Sequence, residues 1–176
     1  MKIASIIAIV GLASAANAGV LVYNFGLNSA QENNPANTSP ATGSMTLTLD
    51  DVSGAFSLSY NYQGMIGNLT VAHFHRAAAG VNGPVFYWLA ATGAPAGAGI
   101  DKLLSPSLAT GGKSGSGTGN GTFTSAQIAD VKAGLVYANL HTTTFGGGEI
   151  RGQVVPAPAA LSLAGIAGLA AFRRRR

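Results

Sequence analysis

The sequence predicts an all-β fold, an antiparallel β-sandwich with one short helix, flanked by an apolar segment at each end. Three observations carry this. Residues 55–62 alternate strictly, with Phe56, Leu58, Tyr60 and Tyr62 on one face and Ser57, Ser59 and Asn61 on the other, the period of a strand with one buried face. Seven or eight β-rich runs are separated by glycine, proline and aspartate turn signals, the spacing of a sandwich, with a closed barrel as the alternative. A single segment carries helical periodicity.

In chain order, residues 20–25 open the domain as a β-rich run, and residues 28–42 form a polar loop containing Pro35 and Pro40. Residues 45–49 alternate, Asp50-Asp51 turns the chain, and residues 55–62 form the next strand. Strands are expected at 69–75 and 85–89, and residues 93–99 read as a loose Ala/Gly/Pro connection. Residues 111–121 are rich in Gly, Ser and Thr, with a thin edge strand expected at 118–124. Thr124-Ser125-Ala126-Gln127 has capping-box spacing, Ile128 and Val131 share a face, and Gly134 suits a left-handed cap, so residues 125–133 are predicted as a surface helix. Runs at 135–140 and 149–154 complete the domain. Met45, Met65, Phe56, Tyr60 and Tyr62 are assigned to the core, and Trp88 to the core or a sheet edge.

The two ends read as targeting segments. Lys2, the apolar run 3–12 and Ala16-Asn17-Ala18 have the order of a secretory signal peptide, with cleavage expected after Ala18. This divides the chain into a signal peptide (1–18), a β domain (19–154) and a sorting or membrane segment (155–176). At the other end, Val155-Pro156-Ala157-Pro158 precedes the apolar stretch 159–172, followed by Arg173, Arg174, Arg175 and Arg176. Fourteen apolar residues are short of the roughly twenty that span a bilayer. Two readings follow: a short anchor, or a transient stop that a processing enzyme cuts. The layout resembles the PEP-CTERM sorting signal, although Ala157 stands where that family usually has glutamate. The resemblance implies an exosortase-type processing enzyme acting after signal peptidase. It also implies export to the cell envelope, outer surface or extracellular matrix, with the chain held at the inner membrane transiently or permanently.

Without these ends the basic residues are Arg76, Lys102, Lys113, Lys132 and Arg151, against six acids, a net charge of about −1. The basicity of the full chain therefore lies in its targeting segments and gives no argument for nucleic-acid binding. There is no cysteine, which excludes thiol chemistry and cysteine metal sites. No nucleophile elbow, paired catalytic carboxylates or nucleotide fingerprint occurs, so the expectation is a non-catalytic domain. Gly146, Gly147 and Gly148 are followed by no lysine and no helix, so they read as a flexible or left-handed turn rather than a phosphate loop.

All three histidines sit in two clusters. His73 and His75, two apart on a strand, project from one face about 6.5 Å apart. With His141 they offer three imidazoles, a set that suits zinc or copper. The competing reading is a polar network in which the histidines, on a face shared with Leu69 and Val71, bond to backbone, Asn139 or Glu149. Glu149 and Arg151, also two apart, are expected to form an ion pair or to reach Arg76 or a histidine across strands. In a metal site Glu149 would orient a histidine ligand from behind.

Three blocks recur together: Ala72-His73-Phe74-His75-Arg76 with Gly80 and Gly83-Pro84-Val85; Val136-Tyr137-Ala138-Asn139-Leu140-His141-Thr142; and Gly147-Gly148-Glu149-Ile150-Arg151-Gly152-Gln153. They resemble the CHRD domain, a module widespread in exported bacterial proteins. The resemblance covers residues 20–154 and implies fold and setting more than mechanism. Immunoglobulin-like and superoxide-dismutase-like sandwiches are the architectures expected. The copper/zinc enzyme of the latter kind needs four histidines, whereas this chain has three. The leading functional expectation is a structural or adhesive module whose partners are an envelope or matrix polysaccharide or protein. The alternatives are a copper- or zinc-binding or redox protein, and a carbohydrate-binding module using exposed Tyr62 and Trp88.

Overall fold

The computed structural model of the chain describes residues 19–91 and 108–155. The predicted signal peptide, the connection at 93–99 and the sorting segment beyond Val155 lie outside them. No helix of the described residues is long and apolar enough to cross a membrane.

Eight strands form the domain: β1 (Val20–Asn28), β2 (Thr42–Asp50), β3 (Ala55–Gln63), β4 (Leu69–Arg76), β5 (Val85–Ala91), β6 (Gly115–Thr122), β7 (Val136–Thr142) and β8 (Ile150–Val154). A 3₁₀ turn (Ser29–Gln31) follows β1, and helix α1 (Ser125–Lys132) follows β6. The strands pair into one antiparallel sheet in the order β5-β4-β7-β8-β1-β2-β3-β6. It curls on itself as a sandwich-like half-barrel. Tyr87 of β5 packs its ring edge-on against Phe56 of β3 (5.2 Å) and Phe123 (5.4 Å), so one end of the sheet lies over the other. Among the described residues the curl does not close into a barrel, since β5 and β6 share no ladder.

The alternation read in residues 55–62 is the burial pattern of β3, in which every even residue is buried and every odd one exposed. The same alternation runs along β1 and β2. Leu47, Leu49 and Leu58 are fully buried there, and Phe74, Leu89 and Leu140 meet them from the other half. Each fully buried side chain of this size contributes about 1.5–3 kcal/mol. Met45, Met65, Phe56, Tyr60 and Tyr62 join this core as predicted.

The turn between β2 and β3 forms because Asp50 Oδ1 accepts from the amides of Val52 (3.0 Å) and Ser53 (2.9 Å), a bond pattern aspartate offers readily. The expected edge strand is β6, begun three residues earlier than its sequence suggested. Its inward residues are glycines because aromatic rings occupy the space above them. A Cβ at Gly115 or Gly117 would come within 2.7 Å of the hydroxyl of Tyr62 or Tyr60. Helix α1 carries the predicted capping box between Thr124 and Gln127, buries Ile128 and Val131, and ends at Gly134 with φ 69°.

Candidate metal centre

β4, β7 and β8 depart from the alternation. All seven residues of β7 and all five of β8 are buried. One face of these strands carries the apolar core. The opposite face, which in β1–β3 meets water, carries His73, His75, Tyr137, Asn139, His141, Arg151 and Gln153. Loops cover it. Arg151 Nη2 donates to the carbonyls of Val81 (2.9 Å) and Ala78 (3.3 Å). Gln153 Nε2 donates to Gly134 O (2.8 Å) and Ala77 O (3.0 Å), and Gln31 Oε1 accepts from Gln153 N (3.1 Å).

The histidines reach this face by a shift in register. β4 pairs Leu69 with Thr142 but Val71 with His141, so one residue of β4 is extra. Leu69 therefore points into the core, at 1% exposure, whereas Val71 stays with the histidines. The expected face shared by His73, His75, Leu69 and Val71 is corrected on this point. Bulges of this kind re-aim side chains next to functional sites.

His73, His75 and His141 form one buried group, and one nitrogen from each ring lies within 4.8 Å of the others. His75 Nδ1 lies 2.9 Å from Gly83 O and His141 Nδ1 3.0 Å from Gly146 O. A carbonyl only accepts, so both Nδ1 atoms carry the proton and both Nε2 atoms present lone pairs. His73 Nδ1 lies 3.1 Å from His141 Nε2 and must donate to it. His73 Nε2 and His75 Nε2 are buried without a partner. Burial is the main cause that lowers all three pKa values, His73 to about 3 with the help of His141 and His75. The rings are thus neutral at physiological pH, the state in which imidazole binds metals.

Trp88, half-buried on β5, stands edge-on to His73 at 4.3 Å and walls the group on one side. On the other, the ring of Tyr137 is stacked parallel to His75 (4.8 Å, 4°), and the Arg151 guanidinium lies 3.3 Å from the Tyr137 ring centre.

The remaining expected residues are placed differently. Glu149 and Arg151 form no ion pair. Glu149 precedes β8, and its carboxylate accepts from Ser39 Oγ (2.6 Å), Thr142 Oγ1 (2.6 Å), Ile66 N (2.6 Å) and Gly67 N (3.2 Å). Burial alone would raise its pKa, but these four bonds together hold it below the usual value. It orients no histidine; backbone carbonyls of Gly83 and Gly146 do. Arg76 pairs with Asp130 at 2.7 Å, on the rim. Asn139 lies opposite His73 across the ladder without a hydrogen bond to it. Tyr62, expected as an exposed sugar platform, is 3% exposed, with its hydroxyl donating to Ala109 O. Gly148 takes φ 125°, the glycine-dependent turn expected before the last strand.

Sequence reasoning missed Glu32, Asn37 and Ser39, which sit in the polar loop after β1. Asn37 Nδ2 donates to Glu149 O (2.9 Å), and Ser39 binds the Glu149 carboxylate. No local spacing marks them, because their partners are more than a hundred residues away in the chain.

Fold and site define an all-β domain carrying a buried three-histidine group on the loop-covered face of its sheet. The chain belongs to the CHRD domain family, which it matches over residues 23–154. CHRD domains are β-fold domains of extracellular type with no catalytic role known. No curated protein and no solved structure is detectably similar to the chain.

Proposed function

We propose that this domain binds a divalent transition ion, copper or zinc, through His73, His75 and His141. The observation that carries this reading is the pair of buried, unpartnered lone pairs on His73 and His75 beside a third neutral imidazole. A buried polar atom without a partner costs about 1–3 kcal/mol, and a bound cation removes that cost for both. Gly83 and Gly146 carbonyls support the outer nitrogens in the manner of established metal histidines. The ion would supply Lewis-acid or redox chemistry; with no acid–base pair beside it, we assign the domain no catalytic reaction. Elemental mass spectrometry on the purified chain should find about one copper or zinc per molecule, lost in His73→Ala. A metal-free wild type that also takes up neither ion from micromolar solution would refute the reading.

A second reading is favoured by the open half of the sheet, whose outer face of Ser44, Thr46, Ser59, Asn61, Ser116 and Thr118 is uncharged. It suits a structural or adhesive module packed among envelope or matrix polysaccharides. Export by the N-terminal segment and sorting by the PEP-CTERM-like tail would deliver either form of the domain. Replacing Arg173–Arg176 by alanine should leave the protein at the inner membrane or in the periplasm; unchanged surface delivery would exclude the sorting role.

A further inference from the structure

Gly19, the first described residue, is held at both of its backbone groups by the turn between β2 and β3. Its N–H donates to Asp51 Oδ1 at 3.0 Å, and its carbonyl accepts from Asp51 N at 3.3 Å. Val20 opposite Asp50 opens the β1–β2 ladder, so the register itself sets Gly19 against this carboxylate. The second oxygen, Asp51 Oδ2, accepts from Lys132 Nζ at 2.6 Å, in the last turn of α1. The Asp51 side chain is 13% exposed, so little water competes for it. Its carboxylate therefore has a cation on Oδ2 and an uncharged amide on Oδ1. The chain before Gly19 carries two small-residue cleavage patterns, Ala13-Ser14-Ala15 and Ala16-Asn17-Ala18. A cut after Ala15 leaves Gly19 N an amide, whereas a cut after Ala18 turns that nitrogen into an α-ammonium.

We infer that Asp51 is the docking site for a processed N-terminus: the bond cut is Ala18–Gly19, and the new Gly19 ammonium completes an ion cluster with Asp51 and Lys132. The inference rests on the export reading of the N-terminal segment above. The step balances: the peptide bond plus one water gives an Ala18 carboxylate, which leaves with the signal peptide, and a Gly19 ammonium, which stays on the domain. The donor already 3.0 Å from Asp51 Oδ1 gains a full charge in place, and a charge-assisted hydrogen bond is roughly twice as strong as a neutral one. Three other ionisable groups face the site. Lys132 comes from α1. Asp50, at the end of β2, is engaged with the amides of Val52 and Ser53. Tyr23 of β1 stays neutral, since burial raises its pKa. Lys132 first, and then the Gly19 N–H, hold the Asp51 carboxyl below the usual carboxylate range, so the acceptor is ionised when the ammonium forms. The cluster ties the start of β1 to the β2–β3 turn and to a helix more than a hundred residues further along the chain.

The test begins with the full chain expressed in an exporting bacterial host and the mass of the exported product. A product starting at Gly19 is expected, and one starting at Ala16 overturns the assignment. A chain that stays uncut in the cytoplasm refutes the export reading and the inference together. The ion cluster is then read on the processed chain by nitrogen-15 titration of the Gly19 amine. Its midpoint should lie above the roughly 7.7–8.0 of an ordinary α-amino group, and return to that range in Asp51→Asn or at high salt. Lys132→Gln leaves the Asp51 charge to Gly19 alone and should raise the midpoint further, a change that general loosening of the fold would not produce. A wild-type midpoint in the ordinary range, unmoved by Asp51→Asn, overturns the cluster while leaving export and cleavage standing.

Discussion

The half of the sheet built from β1, β2, β3 and β6 keeps one face dry and one face wet, whereas β4, β7 and β8 are dry on both. In the first half, many outer residues are serine, threonine and asparagine, some of which pair with each other, as Thr46 Oγ1 does with Asn24 Oδ1 (2.7 Å) and Asn61 Nδ2 with Ser44 Oγ (2.7 Å). In the second, the outer residues are histidine, tyrosine and arginine under loops. A polar side chain costs little facing water, so the first arrangement is cheap and replaceable. Under a loop each polar atom needs its own partner. The loop-covered face therefore holds the large penalties in this molecule, and two of its unpartnered atoms, His73 Nε2 and His75 Nε2, are those of the proposed metal site.

The contrast should be broken most severely at Arg151. It is 1% exposed, and its donors serve Ala78 O, Val81 O and Asn82 Oδ1. Arg151→Leu strips these acceptors and the stack on Tyr137 together, and urea unfolding should show a loss of about 3–5 kcal/mol. The histidines should give a smaller and more diagnostic change. In metal-free protein His73→Phe should move stability by no more than about 1 kcal/mol, because removing an unpartnered nitrogen offsets the lost bond to His141. A loss near 3 kcal/mol would instead make the histidines scaffolding. The wild type should also show a pH signature that this variant lacks. His73 has its pKa lowered from 6.5 to about 3, so the unfolded chain binds the extra proton. The His73 contribution is then complete above pH 6.5 and is lost as pH falls towards 3. Glu32 acts in the opposite sense, its raised pKa favouring the fold at lower pH. The smallest effect belongs to the open half: Ser59→Ala or Thr118→Ala should stay within about 0.5 kcal/mol by the same urea measurement.

Legibility followed the same division. β1, β2 and β3 were readable because one wet face imposes a period of two on the residues, and the cap of α1 because its bonds are local. The histidine cluster was visible as two spaced motifs. Which face they occupied was not, because the extra residue after Leu69 reverses the parity of β4 and leaves no mark in composition. The Glu149–Arg151 pair was misjudged for a related reason. Strand spacing was applied across the start of β8, while Glu149 belongs to the preceding turn. Glu32, Asn37 and Ser39 were invisible since only the closed fold brings them to the last strand.

The strand order places β8 between β7 and β1, so five residues near the end of the domain join its two halves edge to edge. β1 meets its neighbour on that side through Asn28 and Arg151, separated by nearly the whole domain. A chain emerging from its N-terminus can zip β1, β2 and β3 early, yet the sheet stays in two pieces until the final strand arrives. A chain interrupted before Ile150 therefore has no continuous sheet.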